Sequence, residues 1–312
     1  MTVRVDLRRV RRNTEEVARR AAVPVLAVVK ADAYGLGAAR VAPAIRDIVD
    51  GYYVFDAAEA VRYRLFAETG RRTIALLGAS NDPQDYLPHR VHPAVWTAGR
   101  AAALRAAKPV LCVDTGQQRF ACPPEPELLE RVLKAGECGE AMTHASTPRQ
   151  LERFVRAMQP FKERAGAGML SLHAAGTSLL GEPAARLDAM RPGLALYRGA
   201  VRVSARLVEV RDSSGPAGYT GFVVPRHGVI LAGYSHGLRP GPCLVNGRSS
   251  RVLEVGMQSG FVECAAGDEV GDEVVLLGDQ LTEKTVAGAW ATTEQLVLVT
   301  LTGIGDREWI GA

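Results

Sequence analysis

Hydrophobic and polar residues alternate in two different ways along the chain, and the change comes near residue 204. Before it, short apolar runs are separated by longer stretches whose apolar residues recur every three or four positions, the spacing of amphipathic helices. The short runs predict eight strands, at residues 24–30, 52–55, 73–78, 93–96, 109–114, 140–144, 169–173 and 194–199. Strands that alternate with helices in this way predict an α/β fold, a (β/α)8 barrel of the TIM type, over residues 1–204.

Beyond residue 204, the apolar runs are separated by glycine and proline turns instead of helices. This pattern predicts a second, mostly antiparallel β domain over residues 205–312, with which the first few residues of the chain could pair. The repeat GDEVGDEV (267–274) could be taken for a carboxylate cluster that binds a metal. Glycine and aspartate in such a spacing are more typical of tight turns, so we expect no metal site.

The composition is that of a globular protein with a large core, because 47% of its 312 residues are hydrophobic and 23% are charged. The net charge of +4 is small and spread along the chain, which does not favour nucleic acid as a partner. No apolar run is long enough for a membrane span, and the first residues do not resemble a signal peptide. The five cysteines are scattered without a CxxC pair, which is typical of a reducing compartment, so a cytoplasmic location is expected.

Polar residues with catalytic chemistry fall near the carboxyl ends of the predicted strands, where (β/α)8 barrels carry their active sites. They end or follow the first, fifth, sixth and seventh strands or precede the eighth: Lys30, Asp114, Arg119, His144, His173, Arg191 and Gly193. Each has an ordinary structural explanation when taken singly. A lysine is seldom fully buried without a partner or a chemical task, however, and Lys30 ends an apolar run. Together these residues predict one site on one rim of the barrel.

The same rim contains glycine in the segments 174–177 and 191–193, which suit a phosphate group held by backbone N–H groups. A lysine, a phosphate site, an arginine and histidines together indicate pyridoxal phosphate, with the lysine forming a Schiff base. An aldolase that forms a Schiff base with a phosphorylated sugar would use a similar lysine and phosphate loop. The residue types alone leave both possibilities open.

The run VVKADAYGLG (28–37) closely resembles the cofactor-lysine signature of the alanine racemases, which are fold-type-III pyridoxal phosphate enzymes. Further segments resemble that family in the same order along almost the whole chain: VDTGQQR, MTHAS, LHAAGTS, MRPGLALYRG, GYTGF, AGYSHG, VGMQSGFVE and GDEVVLLG. The first signature is fairly specific, and the ordered set is more so. The resemblance implies a barrel followed by a β domain, in agreement with the strand pattern.

The resemblance also implies roles for individual residues. Lys30 would form the Schiff base, and the cofactor's phosphate would be held by Tyr34, Thr177, Gly193 and Leu194. The remaining matches surround the cofactor ring and the substrate: Arg119 near the phenolic oxygen and the substrate carboxylate, His144 against the pyridine ring, Arg191 at the ring nitrogen, and His173 in support of Arg191.

Two further matches lie in the predicted β domain. Tyr234 corresponds to the family's catalytic tyrosine, and Met257 to a residue whose backbone meets the substrate. In the family both reach the partner subunit's site, so a head-to-tail homodimer with shared active sites is implied. Lys30 and Tyr234 on opposite faces of the adduct would form a two-base system, in which a proton leaves one face of Cα and arrives on the other.

Five positions depart from the family pattern, and they cluster around the substrate rather than the cofactor: Cys112, Gly176, His236, Gln258 and Thr302. Cys112 replaces a lysine that becomes carbamylated and steadies the arginine matched by Arg119, and Thr302 replaces a phosphate-binding tyrosine that narrows the entrance. His236 and Gln258 stand where the family prefers aspartate. These departures indicate a retained cofactor and an altered substrate or reaction.

Three hypotheses remain from the sequence. The first is an amino-acid racemase that acts on alanine or on a larger amino acid. The second keeps pyridoxal phosphate but performs another reaction at Cα, of the decarboxylase or aldolase type, in a biosynthetic pathway. The third is a non-catalytic relative that binds the cofactor, and the retention of both Lys30 and Tyr234 argues against it.

Overall fold

The computed structural model describes residues 1–77, 80–166, 168–303 and 305–311. Its strands are β1 (Thr2–Asp6), β2 (Leu26–Val28), β3 (Gly51–Asp56), β4 (Arg72–Leu77), β5 (Val91–Val95), β6 (Val110–Cys112), β7 (Glu140–Ala145), β8 (Ser171–Ala175), β9 (Val201–Asp212), β10 (Arg226–Ile230), β11 (Gly241–Val245), β12 (Arg248–Val255), β13 (Gly260–Glu263), β14 (Glu273–Leu277) and β15 (Asp306–Ile310).

The helices are α1 (Leu7–Ala21), α2 (Lys30–Tyr34), α3 (Ala38–Ile45), α4 (Ala57–Arg62), α5 (Leu65–Thr69), α6 (Ala98–Ala103), α7 (Pro126–Gly136), α8 (Pro148–Ala165), α9 (Leu194–Tyr197), α10 (Glu283–Ala289) and α11 (Glu294–Thr302). Six short 3₁₀ helices add Pro83–Asp85, Leu87–His89, Arg105–Ala107, Thr177–Leu179, Pro183–Ala185 and Tyr234–His236. None of the described helices is long and apolar enough to cross a membrane.

The chain divides into two compact units. One, the barrel unit, contains Arg11–Ala33 and Gly37–Leu196, and the other, the β unit, contains Met1–Val10, Tyr34–Leu36 and the residues from Tyr197 onward. The boundary predicted between residues 204 and 205 falls inside strand β9, which lies wholly in the β unit.

The barrel unit contains a parallel sheet in the order β2-β3-β4-β5-β6-β7-β8. Residues 188–192 close it, because Met190 bridges in parallel to Val25 and Ala189 bridges in parallel to His173. Backbone bonds continue this pairing on both sides, from Leu26 N to Met190 O (2.9 Å) and from Arg191 N to Ala175 O (2.8 Å). The prediction of a TIM-type barrel is thus confirmed, with a short bridging segment in the place of a regular eighth strand.

The predicted eighth strand is wrong in its position. Residues 194–199 do not form a strand, since Leu194–Tyr197 are helix α9 and the closing segment lies just before them. Leucine and alanine are good helix formers, and Pro192 and Gly193 end the extended segment in front of them. The predicted first strand is also shorter than expected, because β2 ends at Val28 and Lys30 begins α2. Gly78, at the end of the predicted third strand, lies outside the described residues.

The barrel interior is filled by alternate residues of the strands, as a period of two requires. Its buried cluster consists of Leu26, Ile74, Ala94, Val110, Cys112, Met142 and Ala189, with Tyr53, Leu76 and Ala121 packed against them. The cluster combines small residues such as Ala94 and Ala189 with larger ones such as Ile74 and Met142. In β4 and β7 the same alternation places a charged residue, Arg72 or Glu140, at the start of the strand.

The β unit is built on one closed ring of strands, β10-β13-β12-β11-β14-β9, in which β9 pairs back to β10. Every pairing in this ring is antiparallel, which confirms the predicted domain type. The first half of β9 also pairs with β1, and β1 pairs in parallel with β15. The repeat at 267–274 forms turns up to Asp272 and then enters β14; Asp268 accepts from Ala265 N (2.7 Å), and Asp272 accepts from Glu269 N (2.8 Å).

We expect the barrel interior to set the stability of its unit. Ile74→Ala should lower the free energy of unfolding by about 2–5 kcal/mol and Ile74→Val by about 0.5–1.5 kcal/mol, because each removes fully buried methyl groups and leaves a cavity. Urea unfolding followed by circular dichroism measures both. Val208→Ala, at a side chain that is 45% exposed, is the control and should change stability by less than about 0.5 kcal/mol. An Ile74→Ala variant as stable as this control would contradict the packing described.

Candidate active site

The carboxyl ends of the barrel strands surround a cavity that brings together four of the site residues predicted from the sequence, Lys30, Arg119, His144 and Arg191. Its lining includes three cationic side chains, two acceptor groups, a histidine and a thiol: Lys30, Arg119, Arg191, Asp114, Gln117, His144 and Cys112. Tyr53, Leu76, Met142 and Thr143 complete much of the wall. The enclosed part measures about 50 Å³, and Arg119 on its rim is exposed to solvent. A larger ligand would therefore extend from the enclosed part toward the rim.

The backbone after Lys30 makes a left-handed turn, which L-residues rarely adopt. Ala31, Asp32, Ala33 and Tyr34 have φ angles of 52°, 56°, 55° and 59°. Such a conformation costs about 1–2 kcal/mol per residue, so contacts elsewhere must offset it. Glu59 supplies two of them, since its carboxylate accepts from Ala31 N (2.7 Å) and Phe55 N (2.9 Å). Asp32 supplies another by accepting from Ala38 N (2.8 Å).

The cavity alters the chemistry of Lys30. Burial, followed by the positive charge of Arg119 and then that of Arg191, lowers the pKa of Lys30, although the carboxylate of Glu59 opposes the shift. A lowered pKa increases the fraction of neutral amine, which is the form that attacks a carbonyl group and that accepts a proton. Lys30 is therefore suited to both covalent attachment and base chemistry.

Arg191 is buried and is held firmly at the inner wall of the cavity. Its guanidinium contacts His173 Nδ1, donates to His173 O (3.2 Å) and donates to Thr143 O. It also lies over the ring of Tyr53, with 5.1 Å between Arg191 Cζ and the ring centroid. Because an arginine can only donate, His173 Nδ1 must accept, and the proton of the neutral imidazole resides on Nε2. His173 and Arg191 are thus in direct contact, and the supporting role of His173 stays a prediction.

The contact chain continues behind His173 through two residues that the sequence analysis did not identify. His173 Nε2 lies 2.9 Å from Glu140 Oε1, and Glu140 receives two bonds from Arg72 (2.6 and 3.0 Å). Burial, followed by the charge of Arg191, lowers the pKa of His173 to about 4, so its ring is neutral at pH 7. Burial alone would raise the pKa of Glu140, but His173 and Arg72 outweigh it and hold that pKa well below its ordinary value.

His144 lies on the cavity wall and retains an exposed edge. Its partly desolvated position, together with the positive charges of Arg191, Lys30 and Arg119, lowers its pKa to about 4. A neutral imidazole can pack flat against an aromatic ring without bringing another positive charge into a site that already holds three. The predicted role of His144 beside the pyridine ring agrees with this environment.

Cys112 borders the cavity with Arg119 but cannot provide Arg119 with a negative charge. Burial raises the pKa of the Cys112 thiol to about 12, so it stays protonated. Arg119 instead donates from Nε to Gln117 Oε1 (3.2 Å), and its guanidinium lies 5.9 Å from the centroid of the Phe120 ring. A neutral amide and an aromatic ring, rather than an anion, orient this arginine in the barrel unit.

The predicted phosphate residues of the barrel unit form one hydrogen-bonded group. Thr177 Oγ1 accepts from Gly193 N (3.3 Å) and Ala195 N (3.1 Å), on either side of Leu194. Because both acceptor positions of this hydroxyl are used, its proton is free to be donated to an anion. Gly176 lies next to Arg191, where an added Cβ would come within 3.2 Å of Arg191 O.

Tyr34 belongs to the β unit, where its ring lies 5.1 Å from the ring of Tyr197 and burial raises its pKa to about 12. Thr302 is fully buried there, and its hydroxyl contacts Leu298 O (2.7 Å) and Tyr34 O (3.2 Å). Gly35 fits against it only because it lacks a side chain, since a Cβ would lie 1.9 Å from Thr302 Oγ1. Thr302 is therefore part of the internal packing around Tyr34.

Tyr234 and Met257 are brought together within the β unit. Tyr234 N donates to Gly256 O, and Ser235 N donates to Met257 O, both at 2.9 Å. The side chains are 56% and 62% exposed, which is unusual for a tyrosine and a methionine of this size. His236 stabilises the turn, because its Nδ1 accepts from Gly233 N (3.2 Å). Gln258 beside Met257 is exposed.

Glu59, Glu140 and Arg72 are supporting residues that the sequence analysis missed. Glu59 stands three residues after Asp56, which caps helix α4 by accepting from Glu59 N (2.8 Å), so the capping pattern marked its position without revealing its bonds to the turn after Lys30. Glu140 opens the predicted sixth strand, and a buried acid at such a place signals a partner.

Comparison with known proteins bears on this site. The family model "Alanine racemase, N-terminal domain" matches residues 5–201. The alanine racemase of Neisseria meningitidis serogroup C is 30% identical over 340 aligned positions, which cover 94% of this chain and 94% of the relative. The biosynthetic alanine racemase of Salmonella typhimurium is 30% identical over 347 aligned positions, with 92% of each chain covered.

Solved structures agree in fold. The biosynthetic alanine racemase from Pseudomonas aeruginosa has a TM-score of 0.86 at 24% identity and covers 99% of both chains. The enzyme from Streptomyces lavendulae, a D-cycloserine producer, has a TM-score of 0.88 at 24% identity, with 99% of this chain and 97% of that one covered. The alanine racemase from Bartonella henselae, solved with covalently bound pyridoxal phosphate, has a TM-score of 0.84 at 22% identity, with 99% of both chains covered. The family model and the two sequence relatives show that this chain belongs to the alanine racemase family.

Proposed function

We propose that this protein is a pyridoxal phosphate-dependent amino-acid racemase that acts at Cα with Lys30 and Tyr234 as its two bases. The observation that carries the proposal is the pairing, in one cavity, of a lysine with a lowered pKa and a buried arginine held from behind by a neutral histidine. Family membership supports the same reaction class. When bound, the cofactor supplies a carbonyl group for the amine and a ring that withdraws electrons from Cα.

The residues of the barrel unit fit this cofactor in chemical type. Lys30 would hold it covalently, Arg191 would donate to the ring nitrogen, and His144 would pack on the ring face. Thr177, with the backbone at Gly193 and Leu194, would bind the phosphate group, and we assign Tyr34 to the same task on the basis of the sequence resemblance. The unused proton of the Thr177 hydroxyl supports this assignment.

Arg191 would limit how strongly the ring withdraws electrons. Its guanidinium keeps its protons throughout the physiological pH range, so it can donate a hydrogen bond to the ring nitrogen but does not protonate it. The neutral His173 adds no second proton source behind it. A weak electron sink favours the prompt return of a proton to Cα, which is the step that racemisation needs and transamination does not.

Proton transfer would be divided between two residues. Lys30, with its lowered pKa, would take or return the proton on one face of Cα. Tyr234 would serve the other face, and we propose that a second copy of the chain contributes it together with Met257, as the family resemblance implies. The exposure of both side chains supports their availability to a second copy. A cytoplasmic location is part of the same proposal and is consistent with five free, buried cysteines.

The substrate would be alanine or an amino acid with a larger side chain. Arg119 is the group that would bind the substrate carboxylate, and the protonated Cys112 beside it leaves its full positive charge available. The small thiol also occupies less space than a modified lysine would. These two features favour a broader substrate range than that of a racemase in which an anion steadies this arginine.

The covalent role of Lys30 can be tested chemically. Treatment of the cofactor-loaded protein with borohydride should fix the cofactor's mass on the peptide that contains Lys30, as measured by mass spectrometry. Lys30→Ala should abolish this fixed mass, whereas Lys284→Ala, at an exposed lysine, should retain it. A fixed mass that persists in Lys30→Ala would contradict the assignment.

The rate at which added pyridoxal phosphate attaches to the cofactor-free protein should rise with pH through the pKa of Lys30, because only the neutral amine attacks. Burial and the charges of Arg119 and Arg191 lower this pKa, so Arg119→Gln should raise it and move the midpoint of the rate profile to higher pH. Arg149→Gln, at an exposed arginine of helix α8, is the matched control and should not move the midpoint. Stopped-flow absorbance provides the measurement. A midpoint unmoved by Arg119→Gln would contradict the predicted electrostatics.

Tyr234→Phe removes one base and leaves the barrel unit unchanged. We expect the racemisation rate of L-alanine, followed by circular dichroism, to fall by about 10²–10⁴-fold while the cofactor's visible absorbance persists. Tyr219→Phe, which alters another exposed tyrosine of the β unit, is the control. Full activity in Tyr234→Phe would exclude the two-base mechanism, and release of carbon dioxide without racemisation by the unmodified protein would exclude the racemase.

A further inference from the structure

A second cavity opens at the opposite end of the barrel strands, where β3, β4, β5 and β6 begin. Its volume is about 520 Å³, within the range of small-molecule binding sites. Its lining combines basic side chains with a few apolar ones: Asp50, Gly70, Arg71, Arg72, Leu87, Arg90, Val91, His92, Ala106, Ala107 and Lys108. All of these residues belong to the barrel unit.

Positive charge in this lining greatly exceeds negative charge. Four side chains are cationic, and the one lining carboxylate, Asp50, accepts from Val25 N (3.0 Å). Arg72 is paired with Glu140, which lies behind it. In the part of the chain that the structure describes, Arg71, Arg90 and Lys108 form no ion pair. Three cations without carboxylate partners therefore border one concave space, where their mutual repulsion would be relieved by an anion.

Side-chain contacts hold two of these cations, Arg71 and Arg90, in place. Arg71 Nε donates to Arg46 O (3.0 Å), and Arg90 lies over the Phe66 ring with 5.3 Å to its centroid. Both interactions leave terminal N–H groups of the guanidinium available. Lys108 and Arg90 each follow a short 3₁₀ helix in left-handed backbone, with φ angles of 52° and 47°. A preorganised set of donors loses less side-chain entropy when a ligand binds.

His92 adds a hydrogen-bond acceptor to the same wall. Its Nδ1 lies 3.2 Å from Lys108 O, a carbonyl that can only accept, so Nδ1 carries the proton and Nε2 is unprotonated. Burial, followed by the charge of Arg72, lowers the pKa of His92 and keeps the ring neutral. The cavity thus offers several donors and one acceptor, which suits an anion that also carries a hydroxyl group.

We propose that this cavity binds a small phosphorylated molecule, whose phosphate group, doubly charged above neutral pH, is held by Arg71, Arg90 and Lys108. Guanidinium groups match phosphate oxygens in geometry, and three cations suit a phosphate better than a single carboxylate. A concave, local cluster in a chain of small net charge favours a small ligand over nucleic acid. The site is separate from the catalytic cavity, because the two lie at opposite ends of the same strands.

Isothermal titration of the full-length protein with pyrophosphate at low ionic strength tests the proposal. Arg90→Asn and Lys108→Asn remove two cations with a residue that tolerates left-handed backbone, so folding should be preserved. We expect each substitution to weaken binding about tenfold, the usual effect of one lost charge-assisted hydrogen bond, and added salt to weaken it further.

Two matched variants locate the binding. Arg64→Asn removes another cation in left-handed backbone, at a residue paired with Glu68 and outside the cavity, and should leave the affinity unchanged. Arg119→Gln alters the catalytic cavity and should also leave it unchanged. The proposal is wrong if millimolar pyrophosphate produces no binding heat. It is equally wrong if Arg64→Asn weakens binding as much as Lys108→Asn, or if only Arg119→Gln weakens it.

Discussion

The burial of Arg191 is the constraint on which the rest of the barrel interior depends. A guanidinium in this position must be satisfied, and His173 and the carbonyl of Thr143 are the groups that satisfy it. His173 is then fixed as a neutral ring with Glu140 behind it, and Glu140 in turn needs Arg72. The result is a continuous line of polar side chains beside the largely apolar buried cluster of the barrel. An uncompensated charge at any point of this line would destabilise the fold by several kcal/mol.

This line of side chains also connects the two ends of the barrel, because the same strands contribute residues to the catalytic cavity and to the opposite end. β4 begins with Arg72, continues inward with Ile74 and ends near the catalytic cavity with Leu76. β7 begins with Glu140, continues with Met142 and reaches His144 in the same way. Because side chains alternate along a strand, β4 and β7 each place a charged residue at one end of the barrel, an apolar residue in the middle and a residue of the cavity wall at the other end. The register of β4 and β7 therefore determines which side chains stand at both ends of the barrel.

Much of this organisation could be predicted from the sequence, because the spacing of hydrophobic residues along a segment shows which face of a helix or strand is buried. The polar residues predicted at strand ends, Lys30 and His144, located the catalytic rim, and the turn residues located the β unit. His173, also predicted to end a strand, is the third residue of β8 and lies buried behind the cavity. The position of the eighth strand could not be predicted, because Leu194–Tyr197 is apolar enough for a strand or a helix. The segment that closes the barrel lies earlier, where Met190 bridges to Val25. Glu59 and Glu140 escaped because their importance lies in partners 28 and 33 residues away, Ala31 and His173.

The left-handed turn after Lys30 has a consequence for the order of folding. In isolation, the left-handed conformation of four successive L-residues is unfavourable in free energy, so the unfolded chain seldom samples this turn. It becomes stable only when helix α4 has placed Glu59 beside it and helix α3 has placed Ala38 N against Asp32. The segment that carries the reactive lysine should accordingly be among the last parts of the barrel to form, and amide hydrogen exchange there should be governed by local opening rather than by global unfolding.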